Sequence, residues 1–335
     1  MRNYLKLWAL ALLLVTLVYA AEAKNPYSRA IRTAQKSYND RKYDLALEQY
    51  RAALDLSPNG WNDASCMTMI GRSMAALKRY DEALKWFELI ETLPDINQNT
   101  RARRFDYIGD LYYYQLKDYD QALENYQICI EQTTDFRHWA ALQEKMARIY
   151  LTTKKHQDAV NYLRSATMCK DPYYYAAIRA RRQLAGLLLG ERKDEEVIEL
   201  LRDVDFKKYS KNERAFAARY GGIAAFREKN YQLALKFFEQ IDQKDSVKSI
   251  YSGRAYLALK EYGKAREQLF ELYKSKKNNQ RDRGEAGLYI GDSYRSEKNL
   301  KEALKIYKNT LTITSDASLK KQLSHRINAL NPPKK

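Results

Sequence analysis

The sequence predicts an all-α fold: a solenoid of about eight helix-turn-helix units, closed by one more helix. Three observations predict it. A short motif returns at a nearly constant interval. The prolines fall only at the edges of the repeated units, where they interrupt no helix pattern. Alternation of apolar and polar residues is scarce, and no Asn-Gly or Asp-Gly turn joins β-branched runs.

The motif is clearest in Lys42-Tyr43-Asp44-Leu45-Ala46-Leu47-Glu48-Gln49-Tyr50. It returns as Arg79-Tyr80-Asp81-Glu82-Ala83-Leu84-Lys85-Trp86-Phe87, and again from Asp118 to Tyr126 and from Asn230 to Phe238. Its small residue stands at Ala46, Ala83, Ala122, Ala159, Val197, Ala234, Ala265 and Ala303, at intervals of 37, 39, 37, 38, 37, 31 and 38. A second small residue precedes it by twelve positions at Ala34, Gly71, Ala147, Ala185, Gly222, Gly253 and Gly291. In the third unit Gly109 lies thirteen before, which predicts one residue inserted ahead of Tyr119. Two antiparallel helices approach closely only where side chains are small, and bulky neighbours must fill the space beside that contact. Tyr50, Phe87, Tyr126, Leu163, Leu201, Phe238, Leu269 and Tyr307 hold the filling position. The fifth unit departs most, with Asp194 and Val197 where Tyr and Ala stand elsewhere.

Eight such matches resemble the tetratricopeptide-repeat family over about residues 28–314. The resemblance implies a right-handed superhelix whose first helices line a concave wall, a role in holding other proteins, and no catalysis.

Residues 315–330 predict a closing amphipathic helix. Leu319, Leu323, Ile327 and Leu330 share one face, while Lys320, Lys321 and Arg326 lie off it. A terminal unit needs its apolar side covered and a polar side exposed. The tail 331–335, with Pro332 and Pro333, is expected to be disordered. At the other end, Arg2 and Lys6 precede an apolar run from Leu7 to Val18, and Ala21-Glu22-Ala23 offers small residues at alternate positions. This describes a secretory signal over 1–23, with cleavage there or after Ala20; the alternative is an uncleaved anchor. The solenoid then occupies 24–314, and an exported location, periplasmic or extracellular, is expected.

The formal net charge is +17, and +16 without residues 1–23, which suggests acidic partners or an anionic surface. Export argues against nucleic acid. Cys66, Cys129 and Cys169 form no Cys-x-x-Cys pair and no ligand spacing with His138, His156 or His325, so buried thiols are expected rather than a metal site. No nucleophile elbow, phosphate loop or His-Glu-x-x-His stands in the chain. A non-enzyme without cofactor or metal is therefore expected. Tyr112-Tyr113-Tyr114 and Tyr173-Tyr174-Tyr175 each place at least one ring in the core, with Tyr173 or Tyr174 as exposed stacking candidates.

By the resemblance, groove-facing residues stand six and three before the first small residue and one after it. This stripe brings Arg148, Arg179, Arg182, Arg219 and Arg254 together across units four to seven, with Asp106, Asp110 and Glu144 nearby as pairing partners. Arginine suits paired hydrogen bonds to carboxylate or phosphate. Some family members clamp a chaperone's terminal carboxylate with Lys and Asn on the first groove helices; Ile31 and Gln35 stand there, so that clamp is not expected. The expected function is a protein-interaction scaffold of the envelope or outside the cell, holding a partner's acidic segment. The alternative is attachment to a non-protein polyanion, an anionic lipid or a cell-wall polymer, through peripheral contact.

Overall fold

The structure, a computed structural model, describes residues 25–330 apart from Gln243; the signal segment 1–23 and the tail 331–335 lie outside the described residues. Among the described residues there are seventeen α-helices and no strand. The chain divides into two compact units at Asp171 and Pro172, between the fourth and fifth repeats.

The first unit holds four helical hairpins: α1 (Pro26–Asn39) with α2 (Tyr43–Asp55), α3 (Gly60–Ala76) with α4 (Tyr80–Glu88), α5 (Gln98–Leu111) with α6 (Tyr119–Gln132), and α7 (Phe136–Thr152) with α8 (His156–Thr167). The second unit holds four more: α9 (Tyr175–Gly190) with α10 (Asp194–Arg202), α11 (Lys211–Arg227) with α12 (Tyr231–Glu239), α13 (Ser246–Ala258) with α14 (Tyr262–Lys274), and α15 (Gln280–Ser296) with α16 (Leu300–Ile313). The single helix α17 (Ala317–Leu330) follows.

The starts of the first helices are written in the sequence. Asn25, Asn59, Asn97, Asp135, Ser210, Asp245 and Asn279 each accept a backbone N–H of the first turn at the N-cap. Each hairpin turns through one residue in the left-handed region, with φ between 57° and 64°, and all eight are basic: Arg41, Lys78, Lys117, Lys154, Arg192, Lys229, Lys260 and Lys298. The following amide closes the helix end, as when Lys42 N donates to Ser37 O at 2.9 Å and Asn299 N to Tyr294 O at 2.9 Å. A cation at this end also complements the helix dipole. In the third repeat the inserted residue is absorbed by a five-residue π-turn, Tyr112–Leu116, and closure lengthens by one residue: Asp118 N donates to Tyr112 O.

The interior follows the small-against-large rule. All eight filling residues, from Tyr50 to Tyr307, are buried to 1 % exposure or less. Glycine on the first helix makes the room: a methyl group at Gly71 would stand 2.5 Å from the ring of Phe87, and one at Gly222 2.6 Å from the ring of Phe238. In the fifth repeat Val197 is fully buried, and Asp194, itself buried, accepts from Arg227 at 3.2 Å. An ion pair to the next repeat's first helix thus replaces the missing Tyr. Asp316 caps α17, accepting from Leu319 N at 2.9 Å, and Leu319 and Leu323 are buried against Leu288, Ala303 and Tyr307. Arg326 turns back to Asp292 at 2.7 Å, so this cation is tied to the fold rather than left on a solvated side.

Cys66, Cys129 and Cys169 are buried free thiols, and burial pushes the Cys129 thiol up to about 12, which keeps it protonated. No helix among the described residues is long and apolar enough to cross a membrane.

Candidate functional site: the first-helix faces

One rule governs the residue that follows the small residue of each first helix, wherever that residue is polar. Where the filling residue is Tyr, its hydroxyl emerges beside the small residue and bonds to that polar neighbour. Tyr50 donates to Gln35 at 3.1 Å, Tyr126 to Asp110 at 2.7 Å and Tyr307 to Asp292 at 2.7 Å. Where it is Phe or Leu there is no hydroxyl; Arg72, Arg148 and Arg254 stand at that position in the repeats filled by Phe87, Leu163 and Leu269, and Gly186 and Ile223 in those filled by Leu201 and Phe238. Where that position is polar, it is acidic or amide in the tyrosine-filled repeats and arginine in the others.

In the first unit the carboxylates of this face are internally matched. Lys145 bridges Asp106 at 2.6 Å and Asp110 at 2.8 Å, and Nε2 of His138 stands 3.1 Å from Asp106. Burial alone would push the Asp106 carboxyl up, but the Lys145 charge and the His138 hydrogen bond outweigh it and hold it below its ordinary value. For Asp110 burial wins and its carboxyl is raised. Glu144, almost wholly buried, pairs with Arg148 at 3.0 Å, and Arg148 also donates to the Tyr114 hydroxyl at 2.6 Å. Of the three acids expected to pair with the arginines, only Glu144 does. Asp106 and Asp110 take Lys145 and His138 instead, because those residues lie on the facing turns of the next first helix. A pocket of about 200 Å³ opens on the same face, lined by Trp61, Ser65, Thr68, Arg72, Arg103 and Tyr107 among others.

In the second unit Arg179, Arg182, Arg219 and Arg254 lie on α9, α11 and α13 as the stripe predicts. Phe216, 39 % exposed, is held between two of them: the Arg182 and Arg219 guanidiniums lie 5.4 and 5.3 Å from its ring centre. Arg179 lies over Tyr175 at 5.0 Å. Tyr175 is 53 % exposed, whereas Tyr173 and Tyr174 are half-buried, so the exposed ring of that run is the third. Tyr173 lies beneath Lys208, and its hydroxyl accepts from the Asp205 backbone. Arg182 pairs with Glu213 at 2.7 Å, and Arg219 pairs with the half-buried Asp245. Arg254 lies over three rings, Phe226 at 4.6 Å, Tyr251 at 5.1 Å and Tyr289 at 5.2 Å.

Glu213 and Asp245 were not singled out in the sequence. Both stand at the start of the next first helix, where acids also serve as caps and dipole partners. The available signal is the recurrence: Arg103 likewise reaches Asp135, the N-cap of α7, at 3.2 Å. Among the described residues no group of three or more His, Cys, Asp or Glu is placed to hold a metal ion.

The arrangement defines a class: helical hairpins in series, offering a charged and aromatic first-helix face. Residues 31–95 match one tetratricopeptide-repeat family model and residues 105–132 another. Over these residues the chain carries tetratricopeptide repeats. Among solved structures it is similar to the C-terminal part of a repeat-containing protein from Cytophaga hutchinsonii, at 16 % identity and TM-score 0.43, covering 79 % of this chain and 95 % of that one. It is also similar to a tetratricopeptide-repeat protein from Parabacteroides merdae, at 12 % identity and TM-score 0.33, covering 90 % and 98 %. A third is PilF of Pseudomonas aeruginosa, at 13 % identity and TM-score 0.36, covering 73 % and 90 %. No curated protein matches the chain.

Proposed function

We propose that this chain is a non-catalytic scaffold, exported to the envelope or beyond the cell. It holds an extended segment of a partner protein on the first-helix face of its second unit, with Arg179, Arg182, Arg219 and Arg254 among the contacts. The observation that carries this reading is Phe216. A large ring left exposed on a first helix, stiffened by a guanidinium on either side, is a preformed surface for another chain. Rigid presentation spares part of the ordering cost of binding. The signal-like start supports export, and the positive charge supports an acidic segment.

Photo-crosslinking in the native cell tests it. Benzoylphenylalanine replaces Phe216 in one strain and Arg202, exposed on the second helix α10, in another. A discrete protein adduct from position 216 alone is expected. Equal adducts from both positions overturn the reading. So does the absence of any protein adduct while the full chain sediments with phosphatidylglycerol vesicles, a result that leaves attachment to a polyanion.

A further inference from the structure

In the second unit, five arginines that reach from one repeat or the closing helix to another element land on carboxylates, while Arg181 and Arg283 reach carbonyl or hydroxyl oxygens. Arg182 meets Glu213, Arg219 meets Asp245, Arg227 meets Asp194, Arg266 meets Glu297 and Arg326 meets Asp292. Arg254 is different. It sits half-buried between α11 and α15, over Phe226, Tyr251 and Tyr289, and among the described residues no carboxylate pairs with it and no acceptor takes its N–H groups. The nearby acids are engaged: Asp292 by Tyr307 and Arg326, and Glu285 by Arg281 at 3.5 Å. Leu269, the filling residue beneath, has no hydroxyl to offer.

Ring faces attract a guanidinium but accept none of its five in-plane donors. They also displace water from it, and a charge partly stripped of water gains more from a counter-ion than a solvated one does. Arg182 and Arg219 already hold such counter-ions, so a ligand carboxylate must displace Glu213 or Asp245 to reach them. At Arg254 nothing needs displacing, and three rings fix the guanidinium beforehand.

We propose that Arg254 is the anion-receiving point of the partner site, taking one carboxylate of an acidic protein segment in a paired hydrogen bond. This deepens the scaffold reading and rests on it. It separates three of the arginines by role: Arg182 and Arg219 hold Phe216 in place, and Arg254 selects for negative charge.

The test is fluorescence anisotropy of dye-labelled, C-terminally amidated hexaglutamate on the full chain and on Arg254→Gln, Arg254→Lys and Arg202→Gln. Arg254→Gln is expected to weaken binding by about tenfold or more, the loss of a charge-assisted pair. Arg254→Lys, which keeps the charge but not the fork, is expected to lose several-fold, and Arg202→Gln, exposed on α10 and away from the first-helix face, to change affinity by about twofold at most. A second peptide, neutral in sequence with a free terminal carboxylate, separates a chain end from acidic side chains as the source. The inference is overturned by equal losses in Arg254→Gln and Arg202→Gln, by an unaltered Arg254→Lys, or by no binding of either peptide. It is also overturned if Arg254→Gln weakens sedimentation with phosphatidylglycerol vesicles but spares both peptides. Discrete crosslinks at position 216 alongside any of these results leave the scaffold reading standing and remove only the role of Arg254.

Discussion

The ring of Phe238 occupies the space that a methyl group on Gly222 would need: that methyl would stand 2.6 Å from Cε1 of Phe238. The clash falls on a ring buried to 1 % exposure, which has nowhere to retreat. Gly222→Ala is therefore expected to destabilise the second unit by about 1–3 kcal/mol despite the better helix propensity of alanine. Gly190→Ala, with nothing within 4 Å of the added methyl, is the matched control and is expected to leave stability unchanged or raise it by up to about 1 kcal/mol. Urea midpoints of the two variants check the pair; similar midpoints would refute the packing account.

The basic residues of the hairpin turns carry backbone strain. Lys154 and Lys260 have φ of 61° and 62°, a region that costs a residue with a Cβ about 1 kcal/mol relative to glycine. Lys154→Gly and Lys260→Gly should each raise the thermal midpoint, less the part of that gain lost with a cation at the helix end. Low ionic strength should shrink the gain, because it strengthens the dipole interaction; scanning calorimetry at two salt concentrations measures it.

Lys145 neutralises two half-buried carboxylates, and its own native pKa is raised well above the ordinary lysine value, because Asp106 and Asp110 outweigh the opposing burial. Lys145→Met should cost about 3–5 kcal/mol at neutral pH by leaving charge unpaired. The Asp106 carboxyl is lowered in the native protein, so its stabilisation is complete above the ordinary carboxylate pKa of about 4 and is lost as pH falls through the native value. Raised Asp110 acts in the opposite sense and softens that acid loss. Raised Lys145 contributes in full below its ordinary pKa of about 10.4 and loses its contribution as pH climbs through the native value. With lysine removed, both acids favour the proton. The gap in thermal midpoint between wild type and Lys145→Met should therefore narrow from pH 7 to pH 4, and a constant gap would contradict the network.

Arg219 faces Asp245, whose side chain is 7 % exposed and caps α13, whereas Arg202 is exposed at the end of α10. Arg219→Glu and Arg202→Glu change net charge equally. Only the first should lower the melting temperature by several degrees, since it sets two acids together at a helix start. Circular dichroism melts of both variants separate local pairing from overall charge.

The apolar run after Lys6 and the small residues at Ala21 and Ala23 predict that the mature protein begins at or near Lys24, or at Ala21. Intact-mass measurement on protein from its native host checks this, and retention of Met1 or its first neighbours rejects cleavage.

The hairpin series was legible because its cause is local and repeated. Ala34, Gly71 and their counterparts, with the fillers sixteen residues on (seventeen in the third repeat), impose one distance constraint over and over, and repetition separates it from chance. The inserted residue before Tyr119 was legible as a spacing error, although its form, a π-turn, follows only from how the backbone absorbs one extra residue. The stripe also placed Arg182, Arg219 and Arg254 on first helices correctly. It did not reveal that Glu213 and Asp245 occupy the first two, or that Tyr175 rather than Tyr173 or Tyr174 is exposed.

By itself the sequence determined the helical class, the repeat register, the closing helix and the burial of the cysteines. Each of these depends on side-chain size at a fixed period within one hairpin. Tertiary structure alone decided which charges are already spent. An arginine and the acid that meets it, such as Arg219 with Asp245 or Lys145 with Asp106, lie 26 and 39 residues apart on helices that become neighbours only when repeats stack. No periodic rule sets where those acids fall. The same stacking sets Arg254 among Phe226, Tyr251 and Tyr289, rings drawn from three helices, because only the packed repeats bring them within reach of one guanidinium.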